Sequence, residues 1–334
     1  MVKTYLSELS DYTIIYAPGV RPAIEVGHAF AFVLNVSEVD REVVSLAEGH
    51  QLRKATSSEV VAIKDVLTNN AAVTDWGAWQ NGPLITSGTK TTSEHLPESE
   101  WRYFVIAFDG SNSTIAEIEH SLCIAPFELK IAFTLMPEAF PTQKNPTLTY
   151  GPPRLFSQVR RMTLRILPTV KIAASEINAM VQLREQIRTH SNSTLNVQSF
   201  IRQILDLDGL PHESPLLFLG YFAILESLLT HKVKETDTLD SITRQVKQKV
   251  ILLDNRWQPR IDYSPFHGTK PDRIWSRMYS YRSTLAHGST PDFAKDLKEL
   301  GDRDRSLSLL TQTVRNILRQ ALIEPQLILD LRNC

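Results

Sequence analysis

Cysteine is almost absent from this chain. Its 334 residues include only Cys123 and Cys334, one central and one terminal. A disulfide framework and a zinc knuckle both need more thiols, so neither is expected. The low cysteine content fits a reducing compartment, and we expect a cytoplasmic protein. Because none of the nine histidines forms a recognisable ligand cluster with cysteines or acids in the sequence, we expect no metal and no cofactor.

The chain also lacks an excess of charge and a long apolar run. Its formal net charge is −1, so it is not a polycation that would coat nucleic acid indiscriminately. Acidic residues interrupt the first apolar positions, and no signal peptide is expected. The segment 215–230 resembles a membrane span but is shorter than the roughly 20 apolar residues that a bilayer requires. It also contains Glu226, so we expect a buried core helix and no membrane association.

The first half of the sequence has the texture of a β-rich domain. A helix is predicted at 57–67, and a long loop with glycine and proline breakers at 69–100. Trp76 and Trp79 lie in that loop, where they either stack on a ligand or cover a core edge; we expect the second. Segments rich in β-branched and aromatic residues lie between turn signals and predict strands at 12–17, 24–35, 101–108 and 122–135.

The second half has the period of helices. The proline-rich stretch 136–168 reads as a connector that carries short strands. The sequence therefore predicts an α+β protein, with a β-rich N-terminal domain at 1–168 and an all-α helical bundle at 169–334. Apolar residues at helical spacing predict helices at 171–189, 195–207, 215–231, 239–254, 273–287 and 304–323.

An arginine and a histidine stand at the end of the helix predicted at 273–287. Arg282 can hold a phosphate with a planar fork of donors, and His287 can move a proton near neutral pH. At about 100° per residue the two side chains lie ~140° apart on the helix, which favours a composite site between two copies of the chain. Neither belongs to the apolar stripe formed by Ile274, Met278, Tyr281 and Leu285.

The arginine–histidine spacing and the basic stretch that precedes it each have an ordinary structural interpretation as well. Arginine and histidine five positions apart occur by chance on helices, and a histidine followed by Gly288 is a common helix end. Between Arg244 and Arg282 nine basic residues accompany three acidic ones, with aromatic residues interleaved. That mixture suits single-stranded nucleic acid, but it is also typical of a solvated basic face. The residues predicted to bind RNA are Arg244, Lys247, Arg273 and Arg277.

Two segments together resemble a known family. LFLGYFAILESLLTH at 217–231 and MYSYRSTLAHGSTPDF at 278–293 are similar to the HEPN superfamily, particularly its Apea-like branch, over roughly residues 170–330. The N-terminal half also resembles the divergent β-rich region that often precedes this domain. The resemblance implies a helical bundle that usually dimerises. It also implies a metal-independent endoribonuclease, since many members have this activity in toxin–antitoxin, abortive-infection and antiphage systems.

The resemblance also implies roles for individual residues. Arg282 and His287 would be the catalytic pair, with Tyr279 in the aromatic approach to the motif. Glu226 lies where many members keep an acidic residue, and it either orients Arg282 or forms a buried structural ion pair. Ser283 stands where active members often have Asn, Asp or His, although the Apea-like branch often has serine. Ser289 replaces a tyrosine that is modified in some toxin members, so that regulation is not expected.

Three functional hypotheses follow from the sequence. The first is an endoribonuclease that uses the 2′-hydroxyl of RNA and leaves a 2′,3′-cyclic phosphate. The second is a non-catalytic module that binds RNA or dimerises, in which Arg282 would matter and His287 would not. The third, compatible with both, is a sensor whose N-terminal domain binds a phage-derived or cellular trigger and releases the activity of the helical domain.

Overall fold

The protein has an α+β architecture that divides into two compact units. The computed structural model describes residues 13–15, 29–87, 90–108, 113–136, 147–149, 152–164, 167–190, 195–231 and 241–334. The first unit ends at Arg184, and the second runs from Glu185 to Cys334.

The first unit is built around a seven-stranded antiparallel sheet. Its strand order is β1-β10-β9-β2-β8-β5-β4, and the central strand β2 is buried at every position. Outside that sheet, β11 pairs in parallel with β3, and β6 and β7 form a separate hairpin. The strands are β1 (Thr13–Ile15), β2 (Ala29–Val33), β3 (Val36–Val39), β4 (Val43–Ala47), β5 (His50–Lys54), β6 (Ile85–Ser87), β7 (Lys90–Thr92), β8 (Phe104–Phe108), β9 (Ile131–Met136), β10 (Thr147–Thr149) and β11 (Val170–Ile172).

Helices cover both faces of this sheet. Because strand side chains alternate between faces, Phe30 and Phe32 of β2 pack on one side with α1, α2 and α4. Ala31 and Val33 pack on the other side with α3 and α5. Burial on both faces explains the uninterrupted apolar run of β2. The helices are α1 (Ser57–Ala71), α2 (Gly77–Gln80), α3 (Ser113–Ile124), α4 (Pro152–Thr163) and α5 (Ala174–Thr189).

Two sequence predictions for the first unit are wrong in part. The strand predicted at 122–135 begins inside α3 and becomes a strand only at β9, because Ile115, Ile118 and Leu122 have the helical spacing that buries them together. The connector at 136–168 carries the short strand β10, as predicted, but its described part also contains α4. Its paired prolines, interpreted as breakers, occupy the first turn of the helix, where proline is tolerated.

Other predictions for this unit are confirmed in part. β1, β2 and β8 fall within the predicted segments 12–17, 24–35 and 101–108, although residues 12, 16–17 and 24–28 lie outside the described residues. The predicted loop contains α2 and the β6–β7 hairpin. Trp79 is fully buried in the core, as expected, whereas Trp76 is partly exposed.

The division between units lies later than the predicted boundary at residues 168 and 169. β11 pairs with β3, and Ile177 and Met180 of α5 pack in the core of the sheet. Residues 170–184 are therefore held by the first unit, because their strand and their buried side chains complete its fold.

The second unit is helical, as predicted. Its central helix is α7, which packs against α6, α8, α9, α10 and α11. α7 is a buried core helix, and among the described residues no helix is long and apolar enough to cross a membrane. The sequence did not predict α11. The helices are α6 (Val197–Leu207), α7 (Pro215–Leu229), α8 (Ile242–Asp254), α9 (Pro271–Ala286), α10 (Arg303–Ile323) and α11 (Pro325–Asn333).

Asn35 is a buried amide that ties three segments of the first unit together. Its Nδ2 donates to the carbonyl oxygens of Glu128 at 2.6 Å and Pro168 at 3.2 Å. Its Oδ1 accepts from the backbone N–H of Lys130 at 3.0 Å. The side chain is completely buried, so its removal leaves these backbone groups without their partner.

We expect Asn35→Ala to lower the free energy of unfolding by about 2–4 kcal/mol, because the buried groups that remain lose their hydrogen bonds. Urea denaturation measures the change. Asn69→Ala is the matched control, since that amide is exposed and bonds only to Asp65 among the described residues; its effect should stay within about 0.5 kcal/mol. Equal effects of the two substitutions would contradict the assigned role of Asn35.

Candidate functional site

The candidate site lies at the C-terminal end of α9. The helix begins at Pro271, a favourable first position for proline. The predicted apolar stripe is present: Ile274, Met278 and Tyr281 are buried, and Leu285 is partly exposed. Tyr281 packs on Phe218 of α7 with ring centroids 4.3 Å apart. These contacts fix the rotation of α9, and so they fix which residues of its last turns face solvent.

The end of α9 has the hydrogen bonds of a Schellman motif. The N–H of Ser289 donates to the carbonyl of Thr284 at 3.0 Å, and that of Gly288 donates to the carbonyl of Leu285 at 3.0 Å. Gly288 has a positive φ of 69°, the conformation that this motif requires and that glycine adopts without strain. His287 is the capping residue and is exposed. Its imidazole therefore stands at the edge of the helix end.

Arg282 is oriented by a carboxylate from the central helix. Its Nη2 donates to Oε2 of Glu226 at 3.2 Å, although the two residues are 56 positions apart. The guanidinium also lies over the ring of Tyr279, 5.9 Å from the centroid. Tyr279 in turn contacts Phe222 of α7 edge to face. The Arg282 side chain remains 34% exposed, so part of its donor fork is accessible to a ligand.

Glu226 is more deeply placed than its partner. Its side chain is 16% exposed, and its Oε1 is buried without a hydrogen-bond partner among the described residues. Such a carboxylate needs a fixed cation beside it, because an isolated buried charge is costly. The pair with Arg282 meets that need. It also holds the guanidinium in one place. The ion pair therefore both stabilises the buried carboxylate and orients the side chain of Arg282.

The second motif residue is not held in this way. Within the part of the chain that the structure describes, no hydrogen bond to the His287 imidazole is found; its backbone N–H donates to the carbonyl of Ser283 at 3.1 Å. Ser283 is partly exposed between the two motif residues. One chain thus places a guanidinium held by a carboxylate and an exposed imidazole at the same end of α9.

The basic stretch is largely compensated by acids from other elements. Arg273 Nε and Arg277 Nε both donate to the carboxylate of Glu299, at 2.9 and 3.1 Å. Lys247 pairs with Asp272 at 3.1 Å. The fourth residue predicted to bind RNA, Arg244, is exposed in the first turn of α8.

Other basic residues of this stretch also form ion pairs with acidic residues. Arg256 pairs with Glu324 at 2.9 Å, and Arg260 pairs with Asp254 at 3.3 Å. Among the acids, Glu226, Glu299 and Glu324 lie outside the counted stretch. The net positive charge around these residues is therefore smaller in the folded protein than the count along the sequence indicates.

Neither a metal-binding cluster among the described residues nor a relative assigns a chemistry to the chain. Among the residues that the structure describes, no group of three His, Cys, Asp or Glu side chains could hold a metal ion. Comparison of the chain with protein-family models, curated proteins and solved structures finds no match. A functional assignment therefore depends on the chemistry of Arg282, His287 and their neighbours.

The shared carboxylate of Glu299 predicts a pH-dependent contribution to stability. The hydrogen bond from Arg273, with the nearby charge of Arg277, holds the pKa of Glu299 below its ordinary value. A depressed folded pKa stabilises the protein above the unfolded glutamate pKa of about 4.3, and this stabilisation is lost as the pH falls through the folded pKa. We expect wild type to exceed Glu299→Gln in free energy of unfolding at neutral pH, with a gap that shrinks below about pH 4.3.

Urea denaturation between neutral and acidic pH measures this gap. Arg273→Ala provides the control, because it removes the principal cause of the depressed pKa. In a protein that already carries Arg273→Ala, the change in free energy of unfolding caused by Glu299→Gln should depend less on pH. A gap that stays constant on acidification would show that Glu299 is not stabilised by these arginines.

Proposed function

We propose that the helical unit is a metal-independent endoribonuclease of the HEPN type, with a site shared between two copies of the chain. The observation that carries the proposal is the pairing of Arg282 with Glu226, which leaves the guanidinium oriented and partly exposed. At the same end of α9, His287 is exposed at the cap. The HEPN resemblance of the two segments that contain these residues supports the same assignment.

The two groups supply what cleavage of RNA by its own 2′-hydroxyl requires. The 2′-oxygen attacks the adjacent phosphorus, and the bond from phosphorus to the 5′-oxygen of the next nucleotide breaks. His287 either removes the proton from the 2′-hydroxyl or protonates the departing 5′-oxygen, and water exchanges the other proton. Arg282 stabilises the charge that develops on the phosphoryl oxygens. The products are a 2′,3′-cyclic phosphate and a 5′-hydroxyl.

A homodimer brings these groups to one phosphate. Since Arg282 and His287 project ~140° apart from a single helix, one chain presents them in divergent directions. Two copies of α9 packed about a twofold axis would place Arg282 of one chain beside His287 of the partner subunit. Tyr279 supports the guanidinium in this arrangement, and Ser283 lies between the two groups along the helix.

RNA would then be held by the surrounding basic residues. Arg244 is exposed at the start of α8. Lys247, Arg273 and Arg277 already have carboxylate partners, so an RNA phosphate must share them with an acid. We therefore expect these basic residues to add less to the affinity for RNA than their number implies.

A non-catalytic role in binding RNA or in dimerisation is the second candidate. One observation favours it: no described residue hydrogen-bonds to the His287 imidazole, so nothing in the described part of one chain selects the tautomer that catalysis needs. In that case Arg282→Ala would lose affinity for RNA while the wild-type protein left RNA intact.

The wider role follows from the resemblance and from the two-unit organisation. We propose a toxin-like nuclease of antiviral defence or abortive infection, acting in the cytoplasm. The first unit would bind a phage-derived or cellular trigger and release the activity of the second.

We expect purified wild-type protein to cleave a labelled single-stranded RNA in the presence of EDTA and to leave cyclic phosphate ends. His287→Ala and Arg282→Ala should each lower the cleavage rate by about 10²-fold or more, because each removes a group that acts on the reacting phosphate. Glu226→Gln should lower it less, since the guanidinium remains but is held less firmly.

His267→Ala is the matched control, because that histidine is also exposed in the helical unit and should leave the rate unchanged. Cleavage that is abolished by EDTA, or that persists in His287→Ala, would refute the proposed activity.

A further inference from the structure

The first unit contains a cluster of aromatic rings on the face covered by α1. Trp79 and Tyr103 are buried and stacked, with ring centroids 6.0 Å apart. Trp76 and Trp101 lie at the outer side of the cluster, each partly exposed, and they contact Trp79 and Tyr103 respectively. The cluster therefore extends from the core to the surface.

Hydrogen bonds fix the positions of three of these rings, those of Trp79, Trp101 and Tyr103. The indole N–H of Trp79 donates to the carbonyl of Leu34 at 3.0 Å, and that of Trp101 donates to the carbonyl of Leu96 at 2.9 Å. The hydroxyl of Tyr103 accepts from Gln80 at 3.3 Å. A ligand that binds these rings would find them already in place, which lowers the entropic cost of binding.

Three of the rings surround one ammonium group. The Nζ atom of Lys64 on α1 lies 4.7 Å from the ring centroid of Trp101, 5.6 Å from that of Trp76 and 6.0 Å from that of Tyr103. All three distances are within the range of cation–π attraction. The negative charge of Glu98 also acts on this ammonium group. Trp76, Trp101 and Tyr103 thus form an aromatic cage with an acidic residue beside it.

Lys64 is an imperfect occupant of this cage. A lysine ammonium carries three N–H donors, yet no described residue accepts a hydrogen bond from it or forms an ion pair with it within 4.0 Å. Partial burial lowers the pKa of Lys64, and the charge of Glu98 opposes that effect. The ammonium therefore loses hydration on the side that faces the rings and gains no hydrogen bond there.

We propose that this cage is a binding site for an alkylated ammonium group, and that Lys64 occupies it until such a ligand arrives. A trimethylammonium group has no N–H donors to satisfy and is weakly hydrated, so it suits an aromatic cage better than a primary ammonium does. Lys64 is partly exposed and has a flexible four-carbon stem, which allows it to turn outward. The ligand is either a small quaternary amine or a methylated lysine side chain.

This proposal does not depend on the nuclease assignment. It concerns the first unit alone, and it gives that unit a ligand chemistry that can be tested without any measurement of RNA cleavage.

Isothermal titration calorimetry of the full chain tests the cage. We expect choline to bind, and its uncharged isostere 3,3-dimethyl-1-butanol not to bind, because cation–π attraction needs the charge. Lys64→Ala should tighten choline binding by about 10-fold or more by emptying the cage. Adding Trp101→Ala to that variant should remove the gain in choline affinity. Lys90→Ala, at an exposed lysine of the same unit, should leave the choline affinity of the wild-type protein unchanged.

A peptide with trimethyllysine and its unmethylated form distinguish the two sources of the ligand. Tighter binding of the methylated peptide than of choline would identify a protein side chain, and the reverse would identify a small amine. The proposal is overturned if folded Lys64→Ala binds neither ligand at about 10 mM, or if choline and its isostere bind alike. It is also overturned if Lys64→Ala and Lys64→Met both fail to fold, since Lys64 is then a structural cation.

Discussion

The ion pair between Glu226 and Arg282 is the constraint on which the functional account depends. It joins the central helix of the second unit to the last turn of α9, and it places one guanidinium in a defined orientation at the surface. Without the carboxylate, Arg282 would be one more mobile surface cation. With it, the protein maintains a positively charged group beside a helix end that also carries His287. The packing of Tyr281 on Phe218 fixes the rotation of α9, and the Schellman motif positions His287 at the end of the helix.

The sequence predicted those parts of the site that arise from neighbouring residues. The stripe of α9 and the turn at Gly288 depend on spacings of a few positions, so periodicity was sufficient to find them. The contact of Glu226 with Arg282 spans 56 positions, and only the family resemblance indicated it. Charge counting along the chain gave too strong a basic patch, because Glu299 approaches Arg273 and Arg277 from outside the stretch that was counted.

For the fold as well, features set by neighbouring residues are easier to predict than features that bring distant residues together. The sequence predicts the apolar strands β2 and β8 and most helices of the second unit. It does not predict β4 and β5, although their residues alternate between exposed and buried positions. α4 was missed because its two leading prolines resemble a break, although they occupy the helix start. The aromatic cage was not foreseen either. Trp76 comes from a predicted loop, Trp101 and Tyr103 come from a predicted strand, and the cation comes from α1. Only the folded chain brings Lys64 to these rings.

The central claim is that arginine and histidine from different subunits act on one phosphate, and mixing of inactive variants tests it most directly. Arg282→Ala and His287→Ala are each unable to build a complete site alone, but a heterodimer of the two contains one intact pair. With random subunit exchange, half of the dimers are mixed and each has one working site, so about one quarter of the wild-type cleavage activity should return. If the mixture stays as inactive as its components while exchange is shown to occur, the shared site is contradicted.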